Sequence, residues 1–428
     1  MNYYSLNKKS PKVSFQEAVV NGLAPDRGLY FPENITPLPK EFIENISDYS
    51  NEEIAYEAIK QFVGDEIPTE ILKQIISETL AFDFPVVSIE ENIGTLELFH
   101  GPTMAFKDVG ARFMARCLGY FNRNNDNQVT VLVATSGDTG GAVADGFLDV
   151  KGVDVVILYP SGKVSDVQEK QLTTLGHNIT ALEVNGVFDD CQEMVKTAFL
   201  DAEINRVLTS ANSINVARWL PQMFYFFIAY KQVHKQQKEL AFSVPSGNFG
   251  NICAGIMAQK LGLPIKHFIA ATNTNDTVPN YLVNGVYNPK PSKATISNAM
   301  DVGNPSNFIR IQELFNNDLN ALKNVFSSFS FTDDETREAM KNIYKNSGYV
   351  SDPHGAVGYL GAKEYLKENS NTLCLFLETA HPVKFLETVE DTLNIKLSIP
   401  DQIKSVLEKE KKAIKTSTYE GLKKYLNS

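Results

Sequence analysis

Cysteine is scarce in this chain. Cys117, Cys191, Cys253 and Cys374 are its four, far apart in 428 residues. With no CxxC pair and no metal-ligand spacing, a disulfide scaffold and a zinc module are both set aside, and a reducing compartment is expected. The six histidines (His100, His177, His234, His267, His354, His381) form no HExxH and no other ligand pair, so no metal site is expected. His100 and His354 have loop settings and read first as structural. There is no GxSxG elbow for a serine hydrolase, no GxxxxGK and no GxGxxG, which removes the usual nucleotide fingerprints. The most apolar run, Phe224–Tyr230, is too short to span a bilayer. Met1–Val13 has no apolar signal core, so a soluble, cytoplasmic protein is expected. Positive charge is in deficit, with 40 Lys and Arg against 51 Asp and Glu and a net charge of −11. That balance argues against nucleic acid and against an anionic membrane surface. It leaves room for a small anionic substrate, because a site can be locally basic within an acidic protein.

What is present is enough apolar residue for large cores, 43% of the chain, and a regular alternation of strand and helix. Residues 1–90 read as an N-terminal region: a short helix opening at Val13–Ala18, a strand closed by Pro32, and helices near Asn51–Phe62 and Pro68–Thr79. Residues 91–235 and 236–428 read as two α/β lobes, each built on a parallel sheet covered on both faces. The strands expected are Val129–Ala134, Val153–Tyr159, Ile179–Val184, Arg206–Thr209, Leu240–Val244, His267–Ala271 and Leu373–Glu378. One long aromatic helix is expected over Val216–His234. Between about 272 and 350 the pattern weakens into an irregular insertion containing a few helices. Asp401–Leu426 reads as a lysine-rich amphipathic helix with a solvated face.

The chemistry gathers where strands end. His100–Gly110, HGPTMAFKDVG, runs from a loop into a helix, placing Lys107 in the first helical turn. The positive field at a helix start, with partial burial, pushes an ammonium towards the neutral amine that a Schiff base requires. A lysine there can equally reach back to solvent. After strand Val129–Ala134 comes TSGDTGG (135–141), and after Leu240–Val244 comes PSGNFGN (245–251). Both loops offer backbone N–H groups at a helix start, a physical means of holding an anion; alone, either is an ordinary tight turn. In Ser210–Trp219, Asn212 and Ser213 sit near an N-cap, and Arg218 can fork a phosphate or lie at the surface. Thr379, in Glu378–Pro382, can touch a ring nitrogen or cap the next helix. An aldehyde-binding lysine, a phosphate cradle and a second anion loop together describe a pyridoxal-phosphate site.

These motifs, HGPTMAFKD, TSGDTGG, PSGNFGN, SxNxxRW and ETAHP in this order, resemble those of the threonine synthase family, as does the opening VSFQEAVVNGLAPDRGLYFPE. The resemblance covers essentially the whole chain. It implies a fold-type II pyridoxal-phosphate enzyme with two open parallel-sheet lobes and an extra N-terminal region. It implies that Lys107, with Phe106 beside it, holds pyridoxal 5′-phosphate. Gly247, Asn248, Phe249, Gly250 and Asn251 would cradle the cofactor phosphate, and Thr379 would face the pyridine nitrogen. Ser136, Gly137 and Thr139 would lie against the substrate carboxylate, with Asp138 towards the cofactor's O3′. Many relatives have Asn at that last position, and a carboxylate beside an ionised phenolate is repelled unless one of them holds a proton. Asn212, Ser213 and Arg218 would grip the substrate phosphate, with Lys163 a weaker candidate. The implied reaction turns O-phospho-L-homoserine and water into L-threonine and phosphate. Rival readings are a pyridoxal-phosphate phospho-lyase or dehydratase releasing 2-oxobutyrate, and a non-catalytic α/β protein that binds a small ligand.

Overall fold

The computed structural model describes residues 1–124 and 128–428. Its chain forms two compact units, one from Met1–Phe31, Lys107–Arg218 and Ser398–Ser428, the other from Pro32–Phe106 and Trp219–Leu397. Neither follows the sequential division expected at 90/91 and 235/236.

The first unit is built on five strands in the order Ile414–Thr416, Ile179–Val184, Val153–Pro160, Val129–Ala134, Val207–Thr209, every neighbouring pair parallel. The central strands are buried along almost their whole length, as parallel strands covered by helices must be. The order reverses between Val129–Ala134 and Val207–Thr209. Both strands end in loops singled out above, TSGDTGG and Ser210–Trp219. Strands that diverge in connection leave a crevice at their carboxyl ends, which is where open α/β sheets collect ligands.

The second unit has six strands, in the order Phe326–Ser330, His267–Thr272, Glu239–Pro245, Thr372–Glu378, Ile93–Glu97, Val86–Glu90. All pairs are parallel except the last, an antiparallel hairpin. Here the reversal lies between Glu239–Pro245 and Thr372–Glu378, neighbours in register from Thr372 opposite Glu239. PSGNFGN leaves the first of these and Thr379 the second. In each unit, then, two separate sequence motifs emerge side by side.

Three expectations change. The aromatic helix is not continuous: Val216–Trp219 gives way to a 3-10 turn at Leu220–Gln222, and the α-helix resumes over Met223–Val233. Pro221 sits in that turn, where a ring without an N–H interrupts the ladder. The irregular stretch 272–350 holds helices as expected, among them the capped Asp333–Ser347, but also contributes an edge strand, Phe326–Ser330. The C-terminal segment is not one helix. After the short helix Asp401–Leu407 it adds Ile414–Thr416 to the first unit's sheet. Helix Tyr419–Leu426 then buries Leu422 and Leu426 among Leu182, Val195 and Ala198. Lys411 fastens this segment through Glu169 at 2.6 Å and Glu183 at 3.1 Å. None of the described helices is long and apolar enough to cross a membrane.

Leu422→Ala should therefore cost roughly 2–4 kcal/mol in urea unfolding, the price of a buried leucine. A cost below about 0.5 kcal/mol, normal for a surface site, would mean that the tail does not pack as described.

Candidate active site

In the second unit, the loop before the lysine is stitched to the end of the Thr372–Glu378 strand. Leu98 donates its N–H to the Glu378 carbonyl at 3.0 Å, Phe106 to that of Thr379 at 2.9 Å, and His381 returns one to Met104 at 3.1 Å. The buried Lys384 ammonium adds a bond to the Thr103 carbonyl at 2.9 Å. Met104 takes φ 57°, a left-handed conformation costly for a side-chain-bearing residue, and tertiary contacts hold it there. Lys107 follows Phe106 and is the first residue of helix Lys107–Asn122, half-buried. Thr379 is buried at the strand end.

PSGNFGN is braced from behind. A Cβ on Gly247 would lie 2.8 Å from the Met300 Cα, so only glycine allows the turn Asn298–Met300 to pack there. Asn248 accepts from the Ser306 N–H through Oδ1 at 2.6 Å, and from the Asn307 N–H through its carbonyl at 3.2 Å. Asn251 donates to the Pro245 carbonyl at 2.9 Å. Both asparagine side chains thus shape the loop, and main-chain groups are what it offers a ligand. Phe249, at φ 61°, turns the chain into helix Gly250–Lys260, whose first N–H groups lack intrahelical acceptors. This suits the phosphate of a cofactor.

In the first unit, TSGDTGG folds round the Thr135 hydroxyl, which accepts from the Gly137 N–H at 3.0 Å and the Gly140 N–H at 2.9 Å. Gly137 takes φ 146°, a conformation that residues with a Cβ rarely adopt, and a Cβ there would lie 2.5 Å from the Gln168 side chain. The buried Asp138 carboxylate accepts from Gln168 Nε2 at 3.0 Å. That bond supports its charge, a bracing role that nothing in the motif revealed. Ser136 and Thr139 are half-buried.

Arg218 is buried, and donates to the Ala211 carbonyl. Burial brings its guanidinium down to about 10, with Asp108 pulling the other way. A Cβ on Gly110 would meet the Arg218 carbonyl oxygen at 2.3 Å, so the lysine helix and the arginine segment touch at a glycine. Asn212 Oδ1 is buried with no hydrogen-bond partner among the described residues, while Ser213 is half-buried. The segment's anchor is Asn215, which donates to the Val19 carbonyl at 2.9 Å and the Ser210 carbonyl at 3.1 Å. Helix Phe15–Asn21 therefore buttresses the arginine loop, a task for the N-terminal region that its sequence did not disclose. Lys163 is exposed in the turn after Val153–Pro160. Among the described residues no cluster suits a metal ion.

Behind Thr379 lies a buried acid pair. Glu378 accepts from the Asp352 N–H at 2.5 Å and the Ser351 hydroxyl at 2.9 Å. Burial and the neighbouring Asp352 raise the Glu378 carboxyl well above its ordinary range. A proton on Glu378 supplies the donor that the buried Asp352 Oδ2 otherwise lacks among the described residues. Because the folded state holds that proton more tightly than the unfolded chain, stability falls as pH rises above the ordinary carboxyl range. Glu378→Gln fixes the neutral form. The variant should show a flatter decline of Tm from about pH 5 to about pH 9; a decline as steep as the parent's would place the proton elsewhere.

Comparison with known proteins follows the same lines. A family model described as pyridoxal-phosphate dependent enzyme matches residues 94–378. Models described as threonine synthase N terminus and threonine synthase, C-terminal, match 2–80 and 355–426. Threonine synthase of Buchnera aphidicola subsp. Baizongia pistaciae is 46% identical over 412 residues, 95% of each chain. That of Escherichia coli is 45% identical over 406 residues, 94% of each. The crystal structure of threonine synthase from Escherichia coli superposes with a TM-score of 0.94 at 43% identity, covering 100% of this chain and 99% of that one. A pyridoxal-phosphate-bound threonine synthase from Brucella melitensis gives 0.93 at 34%, with the same coverage.

Proposed function

Because this chain belongs to the threonine synthase family of fold-type II pyridoxal-phosphate enzymes, we propose that it converts O-phospho-L-homoserine and water to L-threonine and phosphate in the cytoplasm. The observation that carries the assignment of the site is the pairing of motifs at each sheet's reversal: TSGDTGG beside the Arg218 segment, PSGNFGN beside Thr379.

In this reading Lys107 holds the cofactor aldehyde as a Schiff base, with Phe106 beside it. When bound, pyridoxal phosphate supplies a conjugated ring that takes up the charge left by a departing proton. Main-chain groups of Gly247, Asn248, Phe249, Gly250 and Asn251 bind its phosphate. Thr379 offers the ring nitrogen a neutral hydroxyl, which leaves that nitrogen largely unprotonated. Asp138, oriented by Gln168, lies towards O3′, with a proton held by one of the two. Ser136, Gly137 and Thr139 orient the substrate carboxylate. Asn212, Ser213 and Arg218 hold the substrate phosphate until its bond to Cγ breaks. Lys107, once released by the substrate amine, moves the protons at Cα, Cβ and Cγ, and water supplies the hydroxyl at Cβ. A buried Arg218 facing Asp108 suits this role, since low local dielectric strengthens its pull on a dianion.

Purified protein should absorb near about 410–420 nm, as a lysine-bound cofactor does. Borohydride should remove the band, and Lys107→Ala should lack it and lose roughly a hundred- to ten-thousandfold in rate. A reducible band persisting in the variant would move the attachment to another lysine. Amino-acid analysis should find threonine; 2-oxobutyrate in its place would make the protein a phospho-lyase. Arg218→Lys should weaken kcat/KM for the phosphorylated substrate about ten- to a hundredfold, the size of a charged hydrogen bond. An unphosphorylated analogue should be little affected, and equal losses on both would remove Arg218 from the phosphate pocket.

A further inference from the structure

His354 is buried in the second unit, in the first turn of helix Pro353–Leu366, rather than in the loop its sequence suggested. Its ring has two hydrogen bonds. Nε2 accepts from the Ala299 N–H at 3.2 Å, and Nδ1 lies 2.6 Å from Asp352 Oδ1. A nitrogen that accepts from a backbone N–H carries no proton, so the ring is neutral and Nδ1–H donates to Asp352. Asp352 is held in turn: its own N–H donates to Glu378, and its Oδ1 also accepts from the His354 N–H at 2.7 Å.

Ala299 belongs to the turn Asn298–Met300, which fills the space beneath Gly247. A Cβ on that glycine would come within 3.0 Å of the Ala299 carbonyl oxygen as well as 2.8 Å of the Met300 Cα. The His354 ring also packs on Phe385, their centroids 4.7 Å apart. Phe385 closes the short 3-10 helix that follows Thr379–His381. One imidazole thus joins the strand end that carries Thr379 to the turn that supports PSGNFGN.

We propose that His354 is a positioning residue for the cofactor phosphate: through Ala299 it holds the Asn298–Met300 turn against Gly247, and so sets the main-chain N–H groups of Gly247–Asn251. Asp352 selects the tautomer that leaves Nε2 free to accept, and Glu378 fixes Asp352. This inference rests on the reading of PSGNFGN as the phosphate cradle. By its sequence setting alone, His354 reads only as a structural residue.

Two substitutions separate the ring's bonds. In His354→Gln the amide oxygen falls where Nε2 was and still accepts from Ala299. In His354→Asn the amide nitrogen replaces Nδ1 and keeps Asp352, but nothing reaches Ala299. The full-length chain, freed of cofactor by dialysis, is titrated with pyridoxal 5′-phosphate and with pyridoxal, which lacks the phosphate. His354→Asn should bind the phosphate form about tenfold more weakly, the scale of one lost hydrogen bond, and pyridoxal as the parent does. His354→Gln should stay within about twofold for both, taking tenfold as the effect of the missing bond. Asparagine and glutamine variants that lose equally, or an asparagine variant that loses the same on both ligands, would reduce His354 to a fold-stabilising residue and overturn the proposal. A parent that binds the two ligands equally well would instead overturn the reading of the loop itself.

Discussion

The arrangement depends on a main-chain suture between residues such as Leu98 and Glu378, about two thirds of the chain apart. Strand Ile93–Glu97 pairs in parallel with Thr372–Glu378, and the pairing runs on past both strand ends through Leu98 to Glu378 and Phe106 to Thr379. A backbone hydrogen bond at this depth is nearly obligatory, because an unpaired buried amide costs more than a paired one gains. It is also indifferent to side chains. The loop that ends in Lys107 is thereby held to the strand end that carries Thr379, with Lys384 and the strained Met104 tightening the seam. The position of Lys107 in the chain is thereby set by main-chain bonds, independent of its own side chain.

The two units solve a common problem with the same device. Each places two motifs on adjacent strands at the reversal of strand order, where diverging connections open a crevice. Glycines meet conditions that a side chain could not: Gly137 its φ of 146°, Gly247 the approach of Met300 to the loop, and Gly110, within helix Lys107–Asn122, the approach of the Arg218 carbonyl. Behind these loops the polar groups are braced rather than merely buried. Gln168 supports Asp138, Asn215 ties the arginine segment to Val19, and the Asn248 side chain meets Ser306. Such bracing matters because groups that must meet developing charge work best when held in place beforehand.

Charge is handled locally. A chain with a net charge of −11 still buries Arg218, with Asp108 as its counter-charge. The same chain buries two acids, Asp352 and Glu378, next to one another. The first arrangement holds a cation inside the fold near an opposite charge. The second keeps a proton inside the fold. All four cysteines are buried and free. Burial alone raises the Cys253 thiol to about 12 despite Arg310 nearby, so it stays inert.

Much was legible in the order of residues. Alternating strands and helices announced two parallel sheets, since hydrophobic runs four to eight long, punctuated by glycine, have few other uses. Lys107, both glycine loops, Arg218 and Thr379 stood out because unusual chemistry sat at strand ends. Family likeness then joined them into one enzyme. Pro221 was visible too, though the aromatic run around it hid the break it makes. What local pattern could not supply was any partnership across the chain. Gln168 is to the eye a helix-capping residue, Asn215 one more asparagine in a polar loop, and His354 a histidine beside proline. Ile414–Thr416 is too short and too polar to read as a strand until Ile179–Val184 lies beside it. The sequence by itself determined which groups can react, because that is a property of residue type and local periodicity. Only the tertiary structure decided which groups hold them steady, because hydrogen bonds and close approaches between distant segments exist only after the chain has folded.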